Sequence, residues 1–382
     1  MYLLLFLTLC VALASTYYTE IYDKRFAASL YKELAKNFEN FIVSPLLIET
    51  AFAAVYLGSS HRTSEEIRTV FHLSANNEEI AEKYKNLLLF FTNRGYKLHI
   101  ANMIFFIDRV QIVPAWQRQI DYNFGVGTEV LDLINKDATV HKINRWFREQ
   151  TNNKIDEIVS REDLDAEPSF LLLSALHFQG SWAQKFLKKR TRKDIFYNNG
   201  EEKVSVDTMY LLGHFNFGKS ENLEAKFLQL FFTKQEASMV IVLPDKIDGI
   251  YKLETEIEQV FQFRDFKITA MDISLPKFQM ESNIDLNSIL RKLGIKVAFI
   301  EGKASLHETV TCYKCRSPYI SKASQKTYLK INEQGANVET ARDFSTHISE
   351  SLHYEQFKAD HPFIFYIKIK EVVVFIGRIV AF

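Results

Sequence analysis

Between Asn332 and His361 the chain carries a polar stretch with no sustained periodicity, set between two strand-like runs, Ile320 to Ile331 and Phe363 to Ile369. A loop of that length inside a compact domain is uncommon and is usually functional. Its residues, among them Glu339, Arg342, Asp343, Ser345, Thr346, His347, Ser349, Glu350 and Ser351, mark it as exposed. A bare linker is the plain alternative. Any fold for this chain must anchor a strand on each side of a long exposed segment.

The rest of the chain is patterned for a packed core. Phe26, Leu30, Leu34 and Phe38 recur every four residues and mark one helical face. Ser44-Pro45 after the short run Phe41 to Val43 reads as a helix start, since Ser44 can accept from the orphan amides and Pro45 suits the first turn. That helix is apolar on nearly all sides and should be buried, with Gly58 ending it. Thr63-Ser64-Glu65-Glu66 is a capping-box signature. Further helices are expected over Glu78 to Phe91, Asp137 to Asn152 and Asn283 to Leu293. Phe170 to Phe178 reads as a central strand covered on both faces. More strands are expected at Leu98 to Ile107, Val204 to Phe217, Ala237 to Leu243, Ile268 to Met280 and Val372 to Val380. Helices dominate the first half and strands the second, with no repeat and no break in composition. This is the pattern of one α+β domain.

Tyr2 to Ala14 is apolar, too short to span a bilayer, and ends in Ala12-Leu13-Ala14, an A-x-A cleavage pattern. Residues 1–14 are read as a signal peptide and 15–382 as a single secreted, extracellular domain, with no membrane partner. Of three cysteines, Cys10 leaves with that leader, and Cys312 and Cys315 form a lone C-x-x-C. A local disulfide, free thiols, and a metal or redox pair all remain open for them; the loop context and an oxidising compartment favour the first.

The motifs of common chemistries are missing. There is no G-x-S-x-G, no H-E-x-x-H, no phosphate loop and no G-x-G-x-x-G, Gly125-Val126-Gly127 being the nearest approach. The ten histidines are scattered, and none pairs at helical metal spacing. The sequence therefore points away from an enzyme and implies no metal and no cofactor. Lys+Arg and Asp+Glu are both 47, giving zero net charge, which argues against nucleic acid as a partner. One local exception stands out. Lys185, Lys188, Lys189, Arg190, Arg192 and Lys193 fall in one short window, either a solvated basic turn or a site for a sulfated glycan.

Several motifs, taken in order, resemble one family. They are Phe41-Ile42-Val43-Ser44-Pro45 with Glu49-Thr50-Ala51-Phe52-Ala53-Ala54-Val55-Tyr56-Leu57-Gly58, Ala101-Asn102-Met103-Ile104-Phe105-Phe106, and Leu176-His177-Phe178-Gln179-Gly180-Ser181-Trp182 followed by Phe186. Ser274-Leu275-Pro276-Lys277-Phe278, Leu329-Lys330-Ile331-Asn332-Glu333-Gln334-Gly335 and Ala359-Asp360-His361-Pro362-Phe363 complete the set. The mature chain resembles a serpin over essentially its whole length. The resemblance implies about eight to nine helices, three β-sheets and an exposed reactive centre loop at about residues 333–360. It also implies a monomer that acts as a suicide substrate for an extracellular serine protease: the loop is cleaved as bait and inserts into the main sheet, leaving the protease acyl-linked and distorted.

Further expectations follow from the resemblance. The hinge is Glu333, Gly335, Ala336, Val338, Thr340 and Arg342, with Ala336, Val338, Thr340 and Arg342 facing inward on insertion. Val338 is bulkier than the family's usual alanine, and burying an unpaired Arg342 costs several kcal/mol. These departures favour a non-inhibitory binding or carrier member as the alternative. In the sheet-opening region, with Ser44 and Trp182, Leu47 replaces a usual serine, and Ser174 and Gln325 stand where an Asn–His pair is common. Counted from the hinge glutamate, the reactive bond falls near Ser349-Glu350. Ile348, Ser349 and Leu352 are candidate specificity residues; none is basic, so a chymotrypsin- or elastase-like target is expected rather than a trypsin-like one.

Overall fold

The computed structural model describes residues 23–91, 97–107, 110–166, 169–233, 235–311, 318–336 and 354–382. The expected leader, Cys312 and Cys315, Val338, Thr340, Arg342, Ile348, Ser349, Glu350 and Leu352 lie outside the described residues.

Two sheets carry the architecture. The six-stranded sheet runs β11 (Phe278–Asp285), β13 (Ile320–Asn332), β14 (Gly335–Ala336), β5 (Phe170–Ser181), β2 (Lys97–Ile107), β4 (Val126–Leu131). The nine-stranded sheet runs β1 (Phe41–Val43), β17 (Val372–Ile379), β16 (Phe363–Ile369), β9 (Ala237–Pro244), β8 (Ala225–Phe231), β7 (Glu202–Ser220), β10 (Lys267–Pro276), β15 (Glu355–Lys358), with β6 (Arg192–Asn198) paired to β7. A third sheet is the short pair β3 (Gln111–Ile112) and β12 (Val310–Thr311). With the helices this gives ten α-helices and three sheets among the described residues. The helix total exceeds the expected eight to nine because Arg161–Asp165, Ile250–Thr255 and Ile257–Gln262 are short turns of helix with little periodicity to read.

The apolar run expected as a central strand is one. In β5, Phe170, Leu172, Leu176 and Phe178 join the main core, whereas Leu171, Leu173 and Ala175 pack with Ile143 and Phe147 of the Lys136–Gln150 helix on the opposite face. Covered on both faces, the strand has no polar alternation. The Pro45–Tyr56 helix is buried on almost every side, as its composition requires, and the Ser44 hydroxyl accepts from Leu47 N at 3.3 Å.

Local expectations fail where tertiary contacts compete. The helix read as starting at Thr63 runs His61–Phe71 without a side-chain cap. Thr63 lies inside it and its hydroxyl accepts from Ser305 N, while Glu66 accepts from the amides of Lys296 and Val297, so the capping-box residues serve a neighbouring segment. The helix read from Asn283 begins at Leu286, because residues through Asp285 pair with β13 as part of β11; Asp285 then caps it through Asn287 N at 3.0 Å. Gly58 is required by packing rather than by a turn, since a Cβ there would sit 2.7 Å from Trp116 Nε1. Gly125, the first of the near-miss glycines, has φ +62° and ends the Pro114–Phe124 helix.

Candidate functional site

The site is the slot between β5 and β13. The two strands pair directly and in parallel from Phe170/Ile320 to His177/Tyr328. Beyond that pair they diverge, and β14 wedges between them. Gly335 and Ala336 pair antiparallel with Ser181 and Gly180 on one side and with Asn332 and Ile331 on the other. The chain thus leaves β13, turns at Glu333-Gln334, and re-enters the same sheet for two residues. Of the stretch read as loop, these two and Glu355–Lys358, paired in parallel with β10, are strand. Ala336 is fully buried in the main core.

Glycine is obligatory at 335. Its φ is +143°, and a Cβ would run into the Gly180 carbonyl oxygen and sit 2.8 Å from Ser181 Cα. Glu333 is a buried anchor. Its carboxylate accepts from the Thr191 hydroxyl at 2.8 Å and lies 3.2 Å from Lys277 Nζ. Burial pushes its pKa up, but a backbone hydrogen bond, Thr191 and Lys277 outweigh it and hold the carboxyl below its ordinary value. Its carbonyl accepts from Phe186 N at 3.1 Å. Trp182 closes the turn: its backbone N–H donates to Gln334 O at 2.9 Å and its indole N–H to Asn332 O at 3.0 Å, while the ring stacks on Phe232 at 4.5 Å.

Lower in the slot the opening-region residues meet. Ser174 and Gln325 are cross-strand neighbours on β5 and β13. The Gln325 amide spends its hydrogen bonds elsewhere, on the backbone of Ser44, accepting from its N–H at 2.6 Å and donating to its C=O at 3.0 Å. Thr327 Oγ1 donates to Ile42 O at 2.7 Å, and Asn102 Nδ2 reaches Leu47 O at 3.5 Å. The sheet is therefore tied to the helix behind it through Ser44 and Leu47.

One pair went unread in the sequence. His99 and His177 stack across β2 and β5 with centroids 5.2 Å apart, at the point where β5 and β13 part. His177 is fully buried, and neither of its ring nitrogens has a partner among the described residues. Burial chiefly, then the His99 ring and the Lys154 cation, push its pKa down to about 4. Strand alternation predicts which face each occupies, but the pairing is set by a register between distant segments.

The comparisons agree with this geometry. The serpin (serine protease inhibitor) family profile matches residues 22–382. The chain is a serpin. It is 30% identical to the human (Homo sapiens) leukocyte elastase inhibitor over 93% of this chain and 97% of that one. It is likewise 30% identical to serine protease inhibitor 42Dd of Drosophila melanogaster, over 92% and 94%. The crystal structure of Serpin48 from the insect Tenebrio molitor superposes with a TM-score of 0.86 at 35% identity, covering 94% of this serpin and 96% of that chain. The expected serpin fold is thus present.

Proposed function

We propose that this serpin is a secreted suicide-substrate inhibitor of a chymotrypsin- or elastase-like serine endopeptidase, acting in the extracellular space as a monomer. The observation that carries the proposal is the state of the slot. Among the described residues, Gly335 and Ala336 are seated in it, and below them β5 and β13 satisfy each other through one parallel ladder.

The chemistry follows from that arrangement. The protease serine attacks the carbonyl of the reactive bond near Ser349-Glu350, the amine side leaves, and the loop's new end is held as an ester. Extending β14 downward then exchanges the parallel β5–β13 ladder for two antiparallel ladders, one on each side of the entering strand. Antiparallel pairing is slightly more stable per residue, and each added buried hydrogen bond contributes about 1 kcal/mol net. Insertion is downhill once the loop is cut, and it outruns water at the ester. Elastase, named in the human relative, suits the non-basic candidates Ile348, Ser349 and Leu352. The leader ending in Ala12-Leu13-Ala14 supports export.

A second reading, a non-inhibitory binding or carrier serpin, is favoured by Val338 and Arg342 in the inward set. One experiment separates the two. The protein is mixed with chymotrypsin- and elastase-type proteases and run on a gel after boiling in detergent. The inhibitor gives a covalent adduct; cleaved protein without adduct against every protease of the panel leaves the carrier.

A further inference from the structure

The basic run is an exposed turn, and its surroundings give it a role. Lys188–Arg190 form a single 3-10 turn, with Lys188 and Lys189 exposed and Lys185 and Arg190 half-buried. Lys193 pairs with Asp207 at 3.1 Å, and Arg192 lies over the Tyr210 ring at 4.1 Å. Lys185, Lys188, Lys189 and Arg190 have no carboxylate partner among the described residues. In a chain of zero net charge this is a local cationic excess held by a fixed backbone.

Its location matters more than its charge. The segment holding the turn is bonded to both ends of the chain that flanks residues 337–353. On the entering side, Phe186 N and the Thr191 hydroxyl both donate to Glu333, so the turn is clamped to the hinge from each end. On the leaving side, Asp194 lies 3.8 Å from Lys358 Nζ of β15, and Tyr197 N donates to Asp360 O at 2.7 Å. The turn is thus held beside both points at which the chain enters and leaves residues 337–353.

We infer that Lys185, Lys188, Lys189 and Arg190 form a docking surface for an acidic face of the loop-bound protease, selecting among enzymes of the same primary specificity by charge. The inference rests on the inhibitory reading above. Fixed cations beside a docking site act mainly on the encounter rate, and salt screens them.

The test is the charge reversal K188E/K189E, two exposed positions whose change should leave the melting temperature alone. Adduct formation is timed with an anionic and a cationic elastase-type protease at about 50 mM and about 300 mM salt. The variant should react about tenfold more slowly with the anionic enzyme at low salt. The gap should close at high salt, the cationic enzyme should show no loss, and the ratio of adduct to cleaved protein should not change. Equal rates for variant and wild type overturn the docking surface and leave the inhibitor intact. No adduct from wild type overturns the inhibitory reading together with the docking surface, and the gel shows which case holds. Lost retention on heparin-agarose with every protease rate unchanged makes the turn a sulfated-glycan site and overturns the proposal.

Discussion

The side-chain amide of Gln325 holds both backbone polar groups of Ser44, its N–H at 2.6 Å and its C=O at 3.0 Å. Both residues are buried and lie 281 positions apart. The contact fastens the middle of β13 to the start of the Pro45–Tyr56 helix, at the level of the parallel β5–β13 ladder. Gln325→Ala leaves the Ser44 N–H without its partner and its C=O with only the 3.4 Å bond from Ile48 N, at a cost of roughly 2 kcal/mol. The intact variant should melt lower and polymerise or insert its loop faster on warming, measured by thermal melts and native gels. An unchanged melt would show that the lock carries no stability.

Gly335 permits the backbone to enter the sheet between Ser181 and Asn332. Gly335→Ala places a side chain at φ +143° against backbone atoms of β5. A non-glycine in such a conformation costs about 1–3 kcal/mol, before the clash is counted. The expected result is a protein whose loop can still be nicked but whose melting temperature gains much less on nicking than that of wild type. Comparing intact and nicked melts of both proteins checks this.

Arg342 is assigned to the inward set by alternation from Gly335, and an unpaired guanidinium in the sheet costs several kcal/mol. Arg342→Thr should raise the fraction of protease trapped as adduct relative to cleaved serpin. Equal fractions on densitometry would mean that the hinge does not limit trapping.

His177 is buried neutral, with its pKa pushed from 6.5 down to about 4. The unfolded chain binds a proton there below about pH 6.5 while the native state does so only near 4. Stability is therefore full above pH 6.5, falls as pH drops through that window, and levels off below it, by about 3 kcal/mol in all. His177→Phe keeps the apolar contacts and removes the proton. Its melting temperature should change less than that of wild type between pH 7 and 4.5; parallel pH profiles would exclude His177 as the cause.

The local code of this chain was legible wherever one element decides its own state. The doubly covered run Phe170 to Phe178 and the capped helix at Ser44-Pro45 each follow from nearby residues, and the ordered motifs identified the fold. The hinge glycine could be located from its motif, but its φ and the carbonyl behind it could not. Gln325 bonding Ser44, His99 stacking on His177, and a basic turn clamped to Glu333 all join segments far apart in the chain. Their partners are fixed by strand register and by which helix lies behind which strand. Thr63 and Glu66 make the same point in reverse: suited to cap their own helix, they bond instead to Ser305, Lys296 and Val297, because packing brought those unpaired amides within reach. Short-range preferences are worth a few tenths to about one kcal/mol, and a buried unpaired amide costs more than that, so tertiary contacts prevail where the two conflict.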